Sequence, residues 1–423
     1  MTTAGNFVIV SSDCHAGASV LGYKPYLASY WHKEFDAWAA AYHDAWTDVD
    51  PGVTGRAVGA ASGGLTANWD SDERLTDLEA DGITAEVVFP NTSPPFFPSG
   101  NLSAPVPATR EDYERRWVGL QAHNRWLVDF CSLAPGRRAG IAQIFLNDVD
   151  DAVKEIRWAK DAGLTGGILL PGVSPGSSLP SLYSPHYEPI WAACEETGMV
   201  INTHSGATGR PINPSPGIAA GAVTSFESRW FANRTLWHLI FAGVFERYPR
   251  LRLVLTEQGT VWVADRLKSA DALCRAARVH GAPWRAFAGE AMDQLSMLPS
   301  EYFARNCYIG ASQILPAEVS RRDEIGVDRI LWGSDYPHSE GSFPYTRKAL
   351  RVTFAGVPES EIRRMVGQTA AEVYGFDWNF LESVADKIGP SVDETMRPLE
   401  PAEWPSVPGE TVAHIFMPGM APL

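Results

Sequence analysis

The sequence predicts an α/β fold, a distorted (β/α)8 TIM barrel with a long insertion after its first strand and a C-terminal arm. Three observations carry this. Short β-branched runs recur at about residues 7, 85, 139, 167, 199, 251, 307 and 329. Stretches with apolar residues at helical spacing separate most of them. A doubly wound open sheet would more often carry a glycine-rich phosphate turn, and no G-x-G-x-x-G or GK[ST] turn is present. The length, 423 residues, is long for one ordinary domain. A barrel of this kind fills about 250 residues and passes roughly 400 with insertions.

Each element follows in order. Residues 7–11 read as the first strand, and an insertion rich in Trp, Tyr, Gly and Ala fills about 17–72. "RLTDLEADGI", from Arg74, is a short helix closed by Gly82. "AEVVFP" is the second strand, 111–133 a helix, and "AGIAQIF" the third strand. Residues 148–162 form a helix with Asp148 or Asp150 as N-cap and Gly163 as C-cap. "GGILLP" and "MVINTH" are strands four and five, with helix 189–197 between them. Helix 225–245 leads into "LRLVLTEQG", and 261–277 is helical. "CYIGAS" and "DRILWGSDYPH" complete the eight. Residues 1–376 are therefore the barrel. Residues 377–423 are proline-rich with little periodicity, an arm on the barrel or on a neighbouring subunit.

Composition excludes some functions. The net charge is −15 and no Lys/Arg-rich run breaks it, which argues against nucleic acid. No window of about 18 apolar residues predicts a membrane span. Residues 1–6 lack the basic and apolar regions of a secretory signal. The cysteines at 14, 131, 194, 274 and 307 are widely spaced, with no CxxC pair. That pattern predicts free thiols in the cytoplasm. Hydrophobic residues make up 45%, enough for a large core, and 31 prolines and 15 tryptophans suggest long ordered loops and aromatic-lined surfaces.

The active site of such a barrel lies at the C-terminal ends of its strands. Strand one ends in Asp13 and His15, strand two in Asn91, strand five in His204 and strand six in Glu257. Strand eight ends in Asp335, followed by His338 and Glu340. Strands three, four and seven end in Phe145, Pro171, and Ala311 with Ser312. Residues two apart share a side of a strand, so Asp13 and His15 face one point, and barrel closure gathers the other ends around it. Any single Asp here is more often a helix cap, and any single His an ordinary packed or surface group. Histidines 32, 43, 123, 186, 238, 280 and 414 read that way, although positions 43 and 123 are compatible with a place near the pocket. Agreement of four strand ends points instead to a metal. Asp13, His15, His204, Glu257 and Asp335 form an N/O set suited to Zn, Mn or Fe, as one ion or two. A divalent ion also resolves the burial of so many carboxylates. Asp335, His338 and Glu257 are the candidate catalytic groups, Asn91 and Glu340 candidate substrate contacts. Cys14 should face away and pack.

The chain resembles the amidohydrolase-related family of the metal-dependent hydrolase superfamily. The resemblance rests on "SSDCHAG", "RLTDLEADGITAEVVFPN", "HNRWLVDFC", "YEPIWAACEETGMVINTHSG", "YPRLRLVLTEQGTVWVADRL", "PSEYFARNCYIG" and "IGVDRILWGSDYPHSEGSFPYTR". It implies a distorted barrel with one or two divalent metals, and relatives that include aminocarboxymuconate-semialdehyde and hydroxybenzoate decarboxylases. It also implies that Asp13 and His15 are the first-strand ligands, His204 the fifth-strand ligand and Asp335 the eighth-strand ligand. Two positions depart from the family pattern. The first pair is Asp-x-His rather than His-x-His or Glu-x-His. Glu257 stands where the decarboxylases carry a histidine, so it is either a proton shuttle or a ligand to a second metal.

The expected function is a metal-dependent enzyme that hydrolyses or decarboxylates a small carboxylated or cyclic substrate. In hydrolysis the metal would activate water; in decarboxylation it would hold the carboxylate. The insertion aromatics and the loop "NTSPPFFPSG" would line an apolar pocket. A non-haem di-iron monooxygenase on the same barrel and a non-catalytic scaffold are the alternatives. The expected partner is a small molecule, and the expected assembly a homodimer.

Overall fold

The computed structural model describes residues 5–43, 66–98, 105–207, 219–312, 314–338 and 340–404. Eight parallel strands form one sheet in the order β1 to β8. They are β1 (Val10–Ala16), β2 (Ala85–Pro90), β3 (Arg138–Gln143), β4 (Gly167–Leu169), β5 (Ile201–His204), β6 (Leu253–Thr256), β7 (Cys307–Ser312) and β8 (Ile330–Gly333). The main helices are α1 (His32–Ala41), α2 (Ser71–Ala80), α3 (Arg110–Ser132), α4 (Val149–Asp161), α5 (Glu188–Thr197), α6 (Ala220–Phe241), α7 (Val263–Arg278), α8 (Pro283–Asp293), α9 (Pro299–Asn306), α10 (Thr346–Thr353) and α11 (Trp378–Ile388).

Strand periodicity divides the core in two. Val10, Val87, Phe89, Ile141, Leu169, Val254 and Leu331 share one buried cluster inside the barrel. Their chain neighbours Ile9, Val88, Ile168, Leu253, Leu255, Ile330 and Trp332 belong to another, between strands and helices. Alternation puts one residue inward and the next outward, and both faces are apolar because helices cover the outside.

Three sequence expectations need correction. The first strand is not 7–11 but Val10–Ala16. Its pairing with β2 continues through a bulge between Ser11 and Cys14. Asp13 and His15 therefore lie within the strand, fully buried, rather than beyond its end. The helix expected at 225–245 stops at Phe241, where Gly243 turns the chain at φ 67° into a short turn, Val244–Arg247.

The third correction concerns the tail. Residues 377–388 contain no proline, and Asp377 caps α11 by accepting from the Phe380 amide at 3.2 Å. Leu381 and Ala385, one turn apart, bury beside Val8 and Val10 at the floor of the barrel. Past Pro390, whose carbonyl accepts from the Phe7 amide at 2.8 Å, the chain runs along α10. There Arg351 pairs with Glu403 at 2.7 Å and donates to the carbonyls of Arg397 and Pro398. The rest of the insertion, 44–65, and the end of the tail, 405–423 with His414, lie outside the described residues. Among the described residues no helix is long and apolar enough to cross a membrane.

Leu381 fills the barrel floor, so Leu381→Ala should lower unfolding stability by roughly 2–5 kcal/mol. Glu382→Ala on the exposed side should change it by no more than about 0.5 kcal/mol. Urea unfolding of the two variants checks this, and equal effects would refute the packing of α11.

Candidate metal centre

The site begins where the barrel closes. Beyond Gly333 the chain turns, with Asp335 at φ 59°, a left-handed backbone unusual for a side-chain-bearing residue. The Asp335 amide donates to the Asp13 carbonyl at 2.8 Å, and the His15 amide to the Tyr336 carbonyl at 2.7 Å. A turn follows in which the His338 amide donates to the Asp335 carbonyl, also at 2.8 Å. β1 and the end of β8 thus lie side by side with their polar side chains in the barrel mouth.

Those side chains converge on one point. His15 Nε2 is 3.2 Å from Asp13 Oδ1 and 3.2 Å from Asp335 Oδ1. His204 Nε2, from the end of β5, is 3.4 Å from Asp13 Oδ1. Asp13 Oδ1, His15 Nε2 and His204 Nε2 are all buried, and none makes a hydrogen bond. Buried polar atoms are almost always paired. Ligands bound to one ion at roughly 2.0–2.2 Å stand about 3–3.5 Å from each other. The chain's donor set fits a divalent cation by spacing, by unsatisfied lone pairs and by chemistry.

The far sides of both imidazoles are tethered. His15 Nδ1 lies 3.4 Å from the Pro90 carbonyl, and His204 Nδ1 lies 3.2 Å from Glu257 Oε2. The Ser205 hydroxyl donates to the same Glu257 oxygen. Such partners fix the ring and its tautomer and turn the other nitrogen toward a metal. Phe89 packs 4.9 Å from the His204 ring and His338 stacks 4.1 Å from His15, so the cluster is walled by rings.

Asp13, His15, His204 and Asp335 come together, in two overlapping groupings of ligand atoms: Asp13 with His15 and His204, and His15 with Asp335 and His338. Both include His15. Glu257 joins neither grouping, because its carboxylate sits behind the His204 ring, on Nδ1. Asn91 does not face open space: its Oδ1 is 3.2 Å from His338 Nε2, and its amide nitrogen donates to Asn68 Oδ1 at 2.7 Å. Glu340 lies exposed in the turn past the site, outside both groupings. Cys14 is buried, donates to the Ser11 hydroxyl at 3.1 Å, and its thiol is pushed up to about 12 by burial.

The sequence reading missed four supporting residues. They are Ser205 beneath Glu257, Ser312 on Asp13, Asn68 on Asn91, and Arg74, which donates to the His15 carbonyl at 2.8 Å. Only Ser312 carried a signal, as the one hydroxyl closing "CYIGAS".

Charge follows geometry. Burial opposes ionisation of Asp13, but the His204 charge and the close approach of both imidazoles hold its carboxyl well below the usual range. Burial would also keep the imidazoles neutral. The carboxylates of Asp13 and Asp335, each close to its ring, nevertheless raise His15 to about 9, and the charges of Glu257 and Asp13 raise His204 to about 9. Asp335 is lowered against burial by His338 and His15. His338 is raised by Asp335, against burial and the His15 charge. Burial lifts the Glu257 carboxyl above its ordinary value, with the His204 charge opposing.

The sequence profile of the amidohydrolase family matches residues 25–376. The chain belongs to the amidohydrolase family. Among curated relatives of this amidohydrolase, the gamma-resorcylate decarboxylase of Rhizobium sp. (strain MTP-10005) is 26% identical over 280 residues, 63% of this chain and 76% of that protein. The 5-carboxyvanillate decarboxylase from Sphingomonas paucimobilis shares the fold with a TM-score of 0.59 at 19% identity, covering 88% of this chain and 100% of the other. The 5-carboxyvanillate decarboxylase of Novosphingobium aromaticivorans DSM 12444, with bound manganese, gives a TM-score of 0.64 at 19% identity over 87% and 97% of the two chains.

An imidazolium cannot ligate a metal, so an ion held by His15 and His204 would have to expel their protons. Affinity for Mn2+ should rise with pH up to about 9 and then level off. Both histidines are raised above the unfolded value of about 6.5. Their contribution to stability is full below that value and is lost as pH rises through about 9. The metal-free melting temperature should therefore fall across this window while the manganese-loaded one holds. Calorimetric titration in buffers of different ionisation enthalpy measures the proton release. Binding without it would contradict the assignment.

Proposed function

We propose that the protein is a metal-dependent decarboxylase of a carboxylated hydroxyaromatic, with Asp13, His15, His204 and Asp335 holding one divalent ion. The observation that carries the metal reading is the set of buried, unbonded atoms on Asp13, His15 and His204, with Asp13 Oδ1 3.2 Å and 3.4 Å from the two imidazole nitrogens. The relatives support the reaction: gamma-resorcylate and 5-carboxyvanillate decarboxylases are named for substrates of this class. Manganese in a structural relative makes it the ion to test first.

A bound divalent ion supplies positive charge that orients a carboxylate and an adjacent oxygen. The remaining chemistry belongs to the chain. Loss of CO2 breaks the carbon–carbon bond and leaves its electron pair on the ring carbon, which must take up one proton. Asp335 and His338, 2.9 Å apart, are the pair we assign to hold and deliver that proton. Asn91 then orients His338 instead of binding substrate, and Glu257 holds His204 through Nδ1 in place of ligating. Phe89 and the buried strand ends exclude water, which would otherwise compete as a ligand.

We also propose a cytoplasmic location and a homodimer. The first is supported by free thiols on all five cysteines, and the second is checked by light scattering.

Manganese-loaded protein should release CO2 from 2,6-dihydroxybenzoate or 5-carboxyvanillate. Asp335→Asn should lower the rate by about 10²–10⁴, as expected for loss of an acid–base group. Loss of ring-carboxylate absorbance together with CO2 detection measures both. Hydrolysis of esters or lactones by the loaded protein, with no CO2 from any hydroxybenzoate, would overturn the decarboxylase reading and leave the metal site intact.

A further inference from the structure

We propose that Ser312 and Gly333 are positioning residues that decide which oxygen of Asp13 faces the ion. The inference rests on Asp13 being a metal ligand. Ser312 ends β7 and Gly333 ends β8, and the two are register partners across that strand pair. They form one cradle for the Asp13 side chain that reaches over from β1.

Each does a different part. The Ser312 hydroxyl donates to Asp13 Oδ2. A hydrogen bond to an ionised carboxylate is short and strong, and it fixes the rotation of the carboxylate. The second oxygen, Oδ1, is then left pointing at His15 Nε2 and His204 Nε2 without a hydrogen bond of its own. Gly333 supplies room. A Cβ at position 333 would stand 2.7 Å from Asp13 Cβ and 3.2 Å from the Asp13 amide nitrogen. Any side chain there pushes Asp13 out of the cradle, although Gly333 shows no positive φ that would itself require glycine. Here glycine is demanded by a neighbour's side chain.

Competition of manganese-loaded full-length protein against a fluorescent chelator tests the idea. Partners behind a metal ligand typically contribute 10–100-fold in affinity. Ser312→Ala should weaken Mn2+ binding by about that factor, and Ser312→Thr, which keeps the hydroxyl, should restore most of it. The electron paramagnetic resonance spectrum of bound Mn2+ should change in Ser312→Ala and return in Ser312→Thr. Gly333→Ala should weaken binding similarly, with circular dichroism confirming that the variant is folded. Asp13→Asn separates the two levels of the argument. If Asp13→Asn loses the metal while Ser312→Ala binds like the parent, the positioning role is wrong. If Asp13→Asn itself keeps full affinity, the metal-site reading is wrong.

Discussion

The hydrogen bond from the Asp335 amide to the Asp13 carbonyl, at 2.8 Å, closes the barrel and creates the site in the same act. Every strand of a closed barrel needs a partner on each side. Past Gly333 the partner of β1 is no longer regular strand but the turn that carries Asp335. Bringing those backbones into register sets two carboxylates at one dry end of the barrel. Like charges there are tolerable only with compensating positive charge. His15, 3.2 Å from each carboxylate, supplies it while protonated, and an ion would supply it otherwise. Backbone strain marks the same place. Asp335 at φ 59° and Glu257 at φ 58° both occupy the left-handed region, at a cost on the order of 1–3 kcal/mol each. Both turns swing a carboxylate back toward the mouth.

Below this seam lies a second constraint. Arg74, fully buried, donates from Nη1 to the His15 carbonyl at 2.8 Å and from Nε to both Glu86 oxygens at 2.9 Å. Arg138 meets the same carboxylate at 2.9 Å. Burial opposes ionisation of Glu86, but the Arg74 charge, followed by that of Arg138, holds its carboxyl at about 2. A buried Arg–Glu–Arg group is weak evidence of net stability, because desolvation offsets attraction. What it fixes is position. Arg74 also lies 4.9 Å over the Tyr336 ring, whose hydroxyl donates to Asp77 of α2 at 2.7 Å. One helix thus grips both segments that carry the convergent side chains, from outside the barrel.

The sequence was legible wherever an element's pattern came from the core. Leu253, Val254 and Leu255 alternate between two apolar layers, and that signal marks a covered parallel strand. It failed in β1, because the half of the strand that reaches the mouth is Ser, Asp and His packed against other polar groups. Local rules are expected to fail at functional positions. It failed again in α11, where the proline content of the whole tail hid a twelve-residue stretch, 377–388, that has none. For the site, strand ends named Asp13, His15, His204 and Asp335, and the structure brings those four together. Strand ends give direction but not distance. They could not tell that the turn at Glu257 lands its carboxylate behind a ring, or that Glu340 lies past the turn in solvent. Nor could they give Ser312 its role, which depends on Asp13 of a strand remote in sequence.

The carboxylate-rich composition of the site bears on how many ions it suits. Glu257 standing where a histidine was expected made two ions attractive. The geometry argues for one. A second ion would need ligands that the first does not use, and the two groupings share His15. It would also need Glu257 to leave His204 Nδ1 and the Ser205 hydroxyl. That move would release the tether that aims His204 Nε2 at Asp13, weakening the first position in order to fill the second. Meanwhile Asp13 and Asp335 together carry two negative charges, enough to neutralise one divalent cation without Glu257. The third carboxylate is left to act on an imidazole, from its place behind the His204 ring at Nδ1.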